Sequence, residues 1–465
     1  MTDPAIFKAY DIRGIYPDQI NEDNIKDIVS SIYTFFTQAL NKNNLTIVLG
    51  RDMRISSPSL SKKAQEVLIE LGAQVVDIGL STTPSVYYAV YKYKYDGGIQ
   101  ISASHNPKQY NGLKFFYQKD GKLVKVAKNT GMDKVKEIAL NKSFVKTTTN
   151  GKLEEKNVLD EEIQSAYDIV GIKTLRPLKV VADPANSMGI MHMEKIFNKI
   201  SGSQLIKLNF ELDGTFPAHE ANPLKFHTLK ELQAKVIETK ADLGIATDGD
   251  ADRIYFINEK GEIIPATLIT ALIAREILNK KKGEIILVDI RYTKNAQKVI
   301  EDNGGKMQVN IVGHSLITEH LNRVGAAFAG ESSGHYFFRE TGGAESSIRV
   351  IYHVLDVLTK DPRPISKILA ELHSSNESSE FNYKLPSNLN SKEVLEKIAQ
   401  QYPEGKVSWL DGLTIDFPDW RFNIRSSNTE PLIRLNLEAT SLELMKEKLK
   451  EVADKILGFG AKAED

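Results

Sequence analysis

Between Ala246 and Ile254 the chain reads Thr247-Asp248-Gly249-Asp250-Ala251-Asp252-Arg253, three carboxylates at alternate positions separated by the two smallest residues. Gly249 and Ala251 cannot obstruct convergence of the three side chains, and anions held so close repel unless a hard cation compensates them. Mg2+ suits such a set when a phosphate supplies further oxygen ligands. A calcium loop is the rival, since Asp248, Asp250, Asp252 and Glu259 fall at its positions one, three, five and twelve. It fails because position six is Arg253 where Gly is required, and because apolar strand-like runs flank the loop where two helices are needed.

A second stretch, residues 97–116, delivers a hydroxyl. A small apolar run breaks into Ser102-Ala103-Ser104-His105-Asn106-Pro107 before apolar character resumes at Leu113. That pattern puts Ser104 on a strand-end loop as a candidate phosphoryl carrier, although a serine in a polar loop ordinarily caps its own turn. Lys114, just past Asn111-Gly112, is an anion contact or proton donor if it is not simply solvated. Glu331-Ser332-Ser333-Gly334-His335 could hydrogen-bond vicinal hydroxyls, or form a capping turn. Arg425-Ser426-Ser427-Asn428-Thr429-Glu430-Pro431 makes a plausible phosphate clamp, with Arg425 and Arg434 for charge and hydroxyl and backbone donors for fit. No G-x-S-x-G elbow, P-loop or G-x-G-x-x-G is present, so a hydrolase triad and nucleotide binding gain no support.

These loops need strands to end in and helices to brace them. Ile25, Ile28, Val29, Ile32, Phe35 and Phe36 predict an amphipathic helix over 24–40. A short strand over 45–50, a helix over 60–71 stopped by Gly72, and a strand over 73–79 follow. Residues 241–246, 284–290 and 326–330 repeat the plan of an apolar strand running into a polar loop. Alternation of strand and helix predicts a mostly parallel sheet, with ligands at the strand C-terminal ends. The polar stretches 147–162 and 373–380 read as linkers, giving segments 1–155, 156–257, 258–372 and 373–465, the last departing from the α/β plan.

With 465 residues, 41% hydrophobic and 26% charged, the chain reads as a globular protein of about three domains at ~150 residues each. Sixty basic against 61 acidic residues give a net charge of -1, which recommends neither nucleic acid nor an anionic membrane as partner. There is no cysteine, which excludes disulfides and thiolate chemistry. The N-terminus lacks a basic-then-apolar leader and no run reaches the ~18 apolar residues of a membrane span, so a cytoplasmic location is expected.

Taken in order, FKAYDIRG, SASHNP, NGLK, DGDADR, GESSGH and RSSNTEP resemble the signature set of the α-D-phosphohexomutase family, closest to its phosphomannomutase/phosphoglucomutase members. Asn428 favours that subgroup over phosphoglucosamine mutases, which typically carry Gly there. The resemblance implies three mixed-sheet α/β domains of shared topology plus a smaller C-terminal α+β domain around a central cleft. It implies a phosphorylated Ser104, Mg2+ on Asp248, Asp250, Asp252 and a phosphoserine oxygen, and sugar hydroxyls read by Glu331, Ser333 and His335. Arg425, Ser427, Asn428 and Thr429 would grip the phosphate that is not reacting, and Tyr10, Arg13, Lys114, Arg253 and His314 would line the cleft.

The implied reaction converts a hexose 1-phosphate, of mannose or glucose, into the 6-phosphate through a hexose 1,6-bisphosphate, with glucose 1,6-bisphosphate as intermediate or activator. Lys114, His314 and His335 are the candidate bases, a histidine having the better unperturbed pKa, and Lys114 needing its own lowered by neighbouring cations. Closure of the fourth domain would exclude water. Three positions depart from the usual pattern: Arg291 replaces a Lys, Ile311 replaces a basic residue and Ser332 replaces a Met. A phosphoserine-dependent sugar phosphatase and a non-catalytic sugar-phosphate sensor are the competing readings.

Overall fold

A computed structural model of the chain describes residues 2–426 and 432–464. They fall into two compact units, one comprising Met1–Ile264, Thr318–Phe328 and Ser333–Ile368, the other Pro265–Ile317, Ala329–Ser332 and Leu369–Asp465.

The first unit opens with a sheet ordered β1-β5-β4-β2-β3-β7, with β6 added to β5. Its strands are β1 (Ile12–Ile15), β2 (Thr46–Arg51), β3 (Gln74–Leu80), β4 (Gly97–Ile101), β5 (Tyr110–Lys119), β6 (Lys122–Lys125) and β7 (Lys152–Glu155). Four helices accompany it: α1 (Ile25–Leu40), α2 (Ser57–Glu70), α3 (Thr83–Tyr93) and α4 (Met132–Asn141). The helical spacing read from 24–40 is the buried stripe of α1, with Ile25, Ile28, Val29, Ile32 and Phe36 all sealed from solvent. α2 begins three residues earlier than its apolar pattern suggests, because Pro58 is well suited to a helix's first turn.

The sheet is mixed rather than mostly parallel. β2 runs parallel to β3 and β4, whereas β5 is antiparallel to both of its neighbours, β4 and β1. The reason is length: residues 102–109 connect β4 to β5, and a parallel return needs a crossover of about a dozen residues or more. The 147–162 stretch is also more than a linker. β7 adds a parallel strand to the β3 edge, and α5 (Leu159–Val170) begins within the same stretch. All four β7 side chains are exposed, so backbone pairing alone places it and no apolar pattern announces it.

The second sheet is ordered β12-β11-β10-β8-β9 and is flanked by α6 (Ile190–Asn198) and α7 (Lys230–Thr239). Its strands are β8 (Lys179–Asp183), β9 (Gln204–Lys207), β10 (Leu243–Thr247), β11 (Ile254–Ile257) and β12 (Ile263–Ile264). β10 is buried throughout, and its antiparallel return into β11 is the loop bearing the three aspartates.

Next come α8 (Ala266–Lys280), β13 (Ile285–Asp289), α9 (Lys294–Asp302), β14 (Lys306–Asn310), α10 (His314–Val324), β15 (Phe328–Gly330), β16 (Tyr336–Phe338), β17 (Ala344–Glu345) and α11 (Ser347–Lys360). β13 and β14 are parallel; β16 and β17 are antiparallel. The chain ends with α12 (Ile365–Ala370), β18 (Asn376–Glu377), β19 (Phe381–Lys384), α13 (Ser391–Ala399), β20 (Lys406–Ser408), β21 (Leu413–Asp416), β22 (Trp420–Ser426), β23 (Leu432–Ala439), α14 (Leu442–Gly458) and β24 (Lys462–Glu464). This last sheet is antiparallel, in the order β20-β21-β22-β23-β19-β24. Leu413 and Ile415, Phe422 and Ile424, and Leu435 and Leu437 alternate into its core, the period of two expected of strands with one covered face.

The 373–380 stretch is not a solvated linker. β18 pairs with β23, Ser375 is buried, and Glu377 accepts from Asn295 at 3.0 Å and from the Thr267 hydroxyl. Among the described residues no helix is long and apolar enough to cross a membrane.

Candidate active site

β4 is buried to its last residue, and the chain leaves the sheet in a tight polar corner. Ser102 Oγ accepts the Ser104 N–H at 2.9 Å, and Ser104 takes the left-handed conformation at φ +50°. That conformation is uncommon for a residue with a Cβ and costs energy that neighbouring interactions must offset. Arg54 supplies such interactions. Its fully buried guanidinium donates through Nη2 to the carbonyls of Ser104 (2.8 Å) and Asn106 (2.6 Å), and through Nη1 to those of Pro107 (2.8 Å) and Tyr110 (2.9 Å). Asp52, 3.2 Å from Arg54 Nε, compensates the buried charge.

Fixed in this way, Ser104 Oγ donates to Asp248 Oδ2 at 2.8 Å, 144 positions away in sequence. The contact requires Gly249: a Cβ there would stand 2.2 Å from the Ser104 carbonyl oxygen. His105 Nδ1 lies 3.2 Å from the same hydroxyl, and burial followed by the charges of Arg253, Arg13 and Lys114 pushes this imidazole well below its ordinary pKa.

Asp248, Asp250 and Asp252 are all buried, each offering an oxygen within 4.8 Å of the others'. Thr83, at the start of α3, donates its hydroxyl to Asp250 Oδ2 (2.5 Å) and its N–H to the Asp250 carbonyl (3.0 Å). Ser187 Oγ holds the Asp248 carbonyl at 3.1 Å, and the Arg253 N–H donates to Asp248 Oδ1 at 3.2 Å. Among the described residues, Asp250 Oδ1 is left buried with no hydrogen-bond partner. Three converging carboxylates with an unsatisfied oxygen fit a hard, oxygen-seeking cation such as Mg2+. Burial pushes the Asp248 carboxyl well up, and Asp252 and Asp250 add to the shift; Asp252, buried too, is held well below the usual range by Lys114 and His335.

Lys114 Nζ sits 2.6 Å from Asp250 Oδ2 and 2.5 Å from Asp252 Oδ2. Burial works against its charge, but these two carboxylates outweigh burial and raise its pKa above the ordinary lysine value. The sequence reading of Lys114 as a base needs neighbouring cations to lower its pKa; the neighbours that dominate are anions.

Arg13 on β1 pairs with Asp11 at 2.7 Å and donates Nη1 to Asn106 Oδ1, which ties it to the serine corner. His335 receives Arg253 Nε on its Nε2 at 3.3 Å and meets Ser333 Oγ through Nδ1 at 2.8 Å. Its Nε2 is also 3.3 Å from Asp252 Oδ1. Ser104, Lys114, the three aspartates, Arg253, Ser333, His335 and Arg13 thus form one continuous set in the first unit. Tyr10 is half-buried in the bend before β1.

The second unit gathers another set. Arg291 pairs with Asp289 and lies 3.3 Å from Glu331 Oε1, which also accepts the Gly313 N–H. Glu380 bridges Arg425 (2.7 Å) and Arg434 (3.6 Å). His314 is half-buried at the start of α10. Ser427, Asn428 and Thr429 lie outside the described residues.

Four family descriptions match in succession along this frame. Phosphoglucomutase/phosphomannomutase alpha/beta/alpha domains I, II and III match residues 4–143, 161–261 and 266–375, and the C-terminal domain of the same family matches 382–455. The chain belongs to the phosphoglucomutase/phosphomannomutase family. Its architecture is the family's, with three mixed α/β domains and a C-terminal domain. A phosphomannomutase of Vibrio cholerae serotype O1 is 32% identical, over 97% of this chain and 98% of that protein. A phosphoglucomutase of Neisseria gonorrhoeae is 32% identical, over 97% and 96%. The crystal structure of a phosphoglucomutase/phosphomannomutase family protein from Burkholderia thailandensis superposes with a TM-score of 0.88 at 28% identity, covering both chains fully.

Within this phosphoglucomutase/phosphomannomutase chain, the residues that sequence reading missed are those that act on the site's backbone or from a distance. Arg54 shows in sequence only as part of a charged loop, and nothing in Arg51-Asp52-Met53-Arg54 announces its burial. Thr83 and Ser187 are ordinary loop and helix-start residues until the fold carries them to the aspartates. Glu380 lies in a stretch read as linker, yet it neutralises two of the expected clamp arginines.

Proposed function

We propose that this protein interconverts the 1- and 6-phosphates of a hexose, glucose or mannose or both, with Ser104 as the phosphoryl carrier and a hexose 1,6-bisphosphate as intermediate. The observation that carries this reading is the buried Ser104 hydroxyl held 2.8 Å from Asp248 inside a set of three converging carboxylates. Asp248, Asp250, Asp252 and Ser104 would hold Mg2+, which when bound supplies neutralisation of the negative charge that phosphoryl transfer spreads over the phosphoryl oxygens.

The chain's own residues account for the rest. In the forward step the Oγ–P bond of phosphorylated Ser104 breaks, a bond forms from phosphorus to the free hexose hydroxyl, and the hydroxyl proton leaves to a base. We assign that role to His335, a residue type whose unperturbed pKa suits it; Arg253 Nε and Asp252 Oδ1, each 3.3 Å from its Nε2, support the assignment by holding the ring beside the aspartates. Lys114, held protonated, acts instead as a fixed positive charge. After the bisphosphate turns end for end, its second phosphoryl group returns to Ser104. Arg291, Arg425 and Arg434, with Ser427, Asn428 and Thr429, are assigned to the phosphate that is not reacting, and Glu331 and Ser333 to sugar hydroxyls. The functional division is inferred as 1–155 for the serine, 156–257 for the metal, 258–372 for the sugar and 373–465 for the phosphate.

A coupled assay with glucose, mannose and glucosamine phosphates, with and without glucose 1,6-bisphosphate, tests the reading. Isomer formation stimulated by the bisphosphate is expected. Release of inorganic phosphate without isomer formation would make the protein a phosphatase, and turnover confined to the glucosamine phosphate would reassign the substrate.

A further inference from the structure

We propose that Ser332 is a positioning residue for Arg291, and that the two, joined through the Asp289 carboxylate, are one device for gripping a substrate phosphate. The inference rests on the mutase reading and names how one part of that site is set. Asp289 stands between the two residues at the end of β13, and it is buried. Its Oδ1 accepts the Arg291 N–H at 2.8 Å and Arg291 Nε at 3.2 Å. Its Oδ2 accepts Arg291 Nη2 at 3.0 Å, the Ser332 N–H at 2.5 Å and Ser332 Oγ at 2.8 Å. Five donors on one carboxylate occupy the roughly four lone-pair sites it offers, so its plane has little freedom to turn.

That plane fixes the guanidinium. A planar fork binds a carboxylate well only when the two planes are aligned, whereas an ammonium is a point charge with no such demand. Lysine at 291 would gain little from a side-chain anchor on Asp289, and methionine at 332 would keep only the backbone N–H there. Arginine at 291 does need it, and the Ser332 hydroxyl is the donor that a methionine would lack. Glu331, the residue next to Ser332, lies 3.3 Å from Nη2. Among the described residues Nη1 makes no hydrogen bond, which leaves it to an anionic oxygen.

The test is a double-mutant cycle in the intact protein. Ser332→Ala should raise KM for glucose 1-phosphate roughly three- to tenfold, the effect of one lost hydrogen bond, with kcat held within about twofold. Ser332→Thr, which keeps the hydroxyl, should restore KM. Arg291→Lys should raise KM as well, and adding Ser332→Ala to it should change nothing further, because the hydroxyl acts only through the fork. Single effects that multiply in the double variant, or an unchanged KM in Ser332→Ala, would overturn the proposal. Should the wild-type protein fail to interconvert hexose phosphates, the mutase reading falls separately. The same cycle read by calorimetric titration with inorganic phosphate then decides whether Ser332 acts through Arg291: weaker phosphate binding in Ser332→Ala that disappears in the Arg291→Lys background supports it, and any other pattern refutes it.

Discussion

Arg54 donates through Nη2 to the backbone carbonyl of Ser104 at 2.8 Å, from a position 50 residues earlier in the chain. The same guanidinium spans the carbonyls of Asn106, Pro107 and Tyr110, so one side chain shapes the whole corner that presents the hydroxyl. Arg54→Lys keeps the charge beside Asp52, but an ammonium cannot reach four carbonyls from one stem. The variant should lose about 2–4 kcal/mol of stability, as expected when a buried charge network is broken, and turnover should fall at least about tenfold as Ser104 leaves its left-handed conformation. Thermal unfolding and the coupled assay measure the two effects, and native stability and rate in the Arg54→Lys variant would show that the corner holds itself.

Ser104→Ala should abolish mutase turnover and remove the mass of one phosphoryl group from intact protein incubated with glucose 1,6-bisphosphate. Ser102→Ala is the matched control, because Ser102 only accepts the Ser104 N–H. One neutral hydrogen bond of about 1 kcal/mol predicts a loss of at most about tenfold. Mass spectrometry separates the two variants. Phosphorylation retained in Ser104→Ala would move the carrier elsewhere.

What the sequence could show is the residues whose type is itself unusual. Three aspartates at alternate positions, a serine in a strand-end corner and paired arginines in a turn are visible without a fold, and the fold does gather the first two sets around one point. Gly249 was legible as a small spacer, but its requirement is the Ser104 carbonyl packed against it, a partner 145 residues earlier that no local pattern reveals. Arg54, Thr83 and Glu380 are common residue types in common settings, and only long-range packing gives them their partners. The antiparallel return of β4 into β5 was hidden for a different reason: strand and helix alternation sets which elements form, while the length of one eight-residue connection sets the direction.

Thr83 should tune cation affinity. Its hydroxyl donates to the Asp250 oxygen that Lys114 also contacts, and Oδ1 has no partner among the described residues. Groups that orient a ligand carboxylate typically change metal affinity by about tenfold or more when removed. Thr83→Val, which keeps the volume but not the donor, should therefore need about tenfold more Mg2+ for half-maximal thermal stabilisation, and Thr83→Ser should behave as wild type. Calorimetric Mg2+ titration checks the same constants without turnover. Equal Mg2+ affinity in the Thr83→Val and Thr83→Ser variants would show that the Thr83 hydroxyl does not orient Asp250 for the cation.

Glu162 makes stability depend on pH through the same first turn of α3. Its carboxyl is buried, and burial raises its pKa from 4.5 to about 7 even though Ser85 Oγ, donating at 2.6 Å, works the other way. Between those two values the folded chain keeps a proton that the unfolded chain has lost, so stability falls as pH rises through that window and levels off above about 7. Glu377, raised to about 8 by burial and by the nearby Glu438, acts in the same direction in the other unit. Glu162→Gln retains an acceptor for Ser85 and removes the charge. It should match wild type near pH 5 and exceed it by up to about 3 kcal/mol near pH 8, the worth of the shift at about 1.4 kcal/mol per unit. Unfolding midpoints followed from pH 5 to pH 8 read this directly: the wild-type curve should descend more steeply than that of the Glu162→Gln variant. Parallel curves would mean that Glu162 ionises in the folded protein as readily as in the unfolded one, and that water reaches the α5–α3 contact.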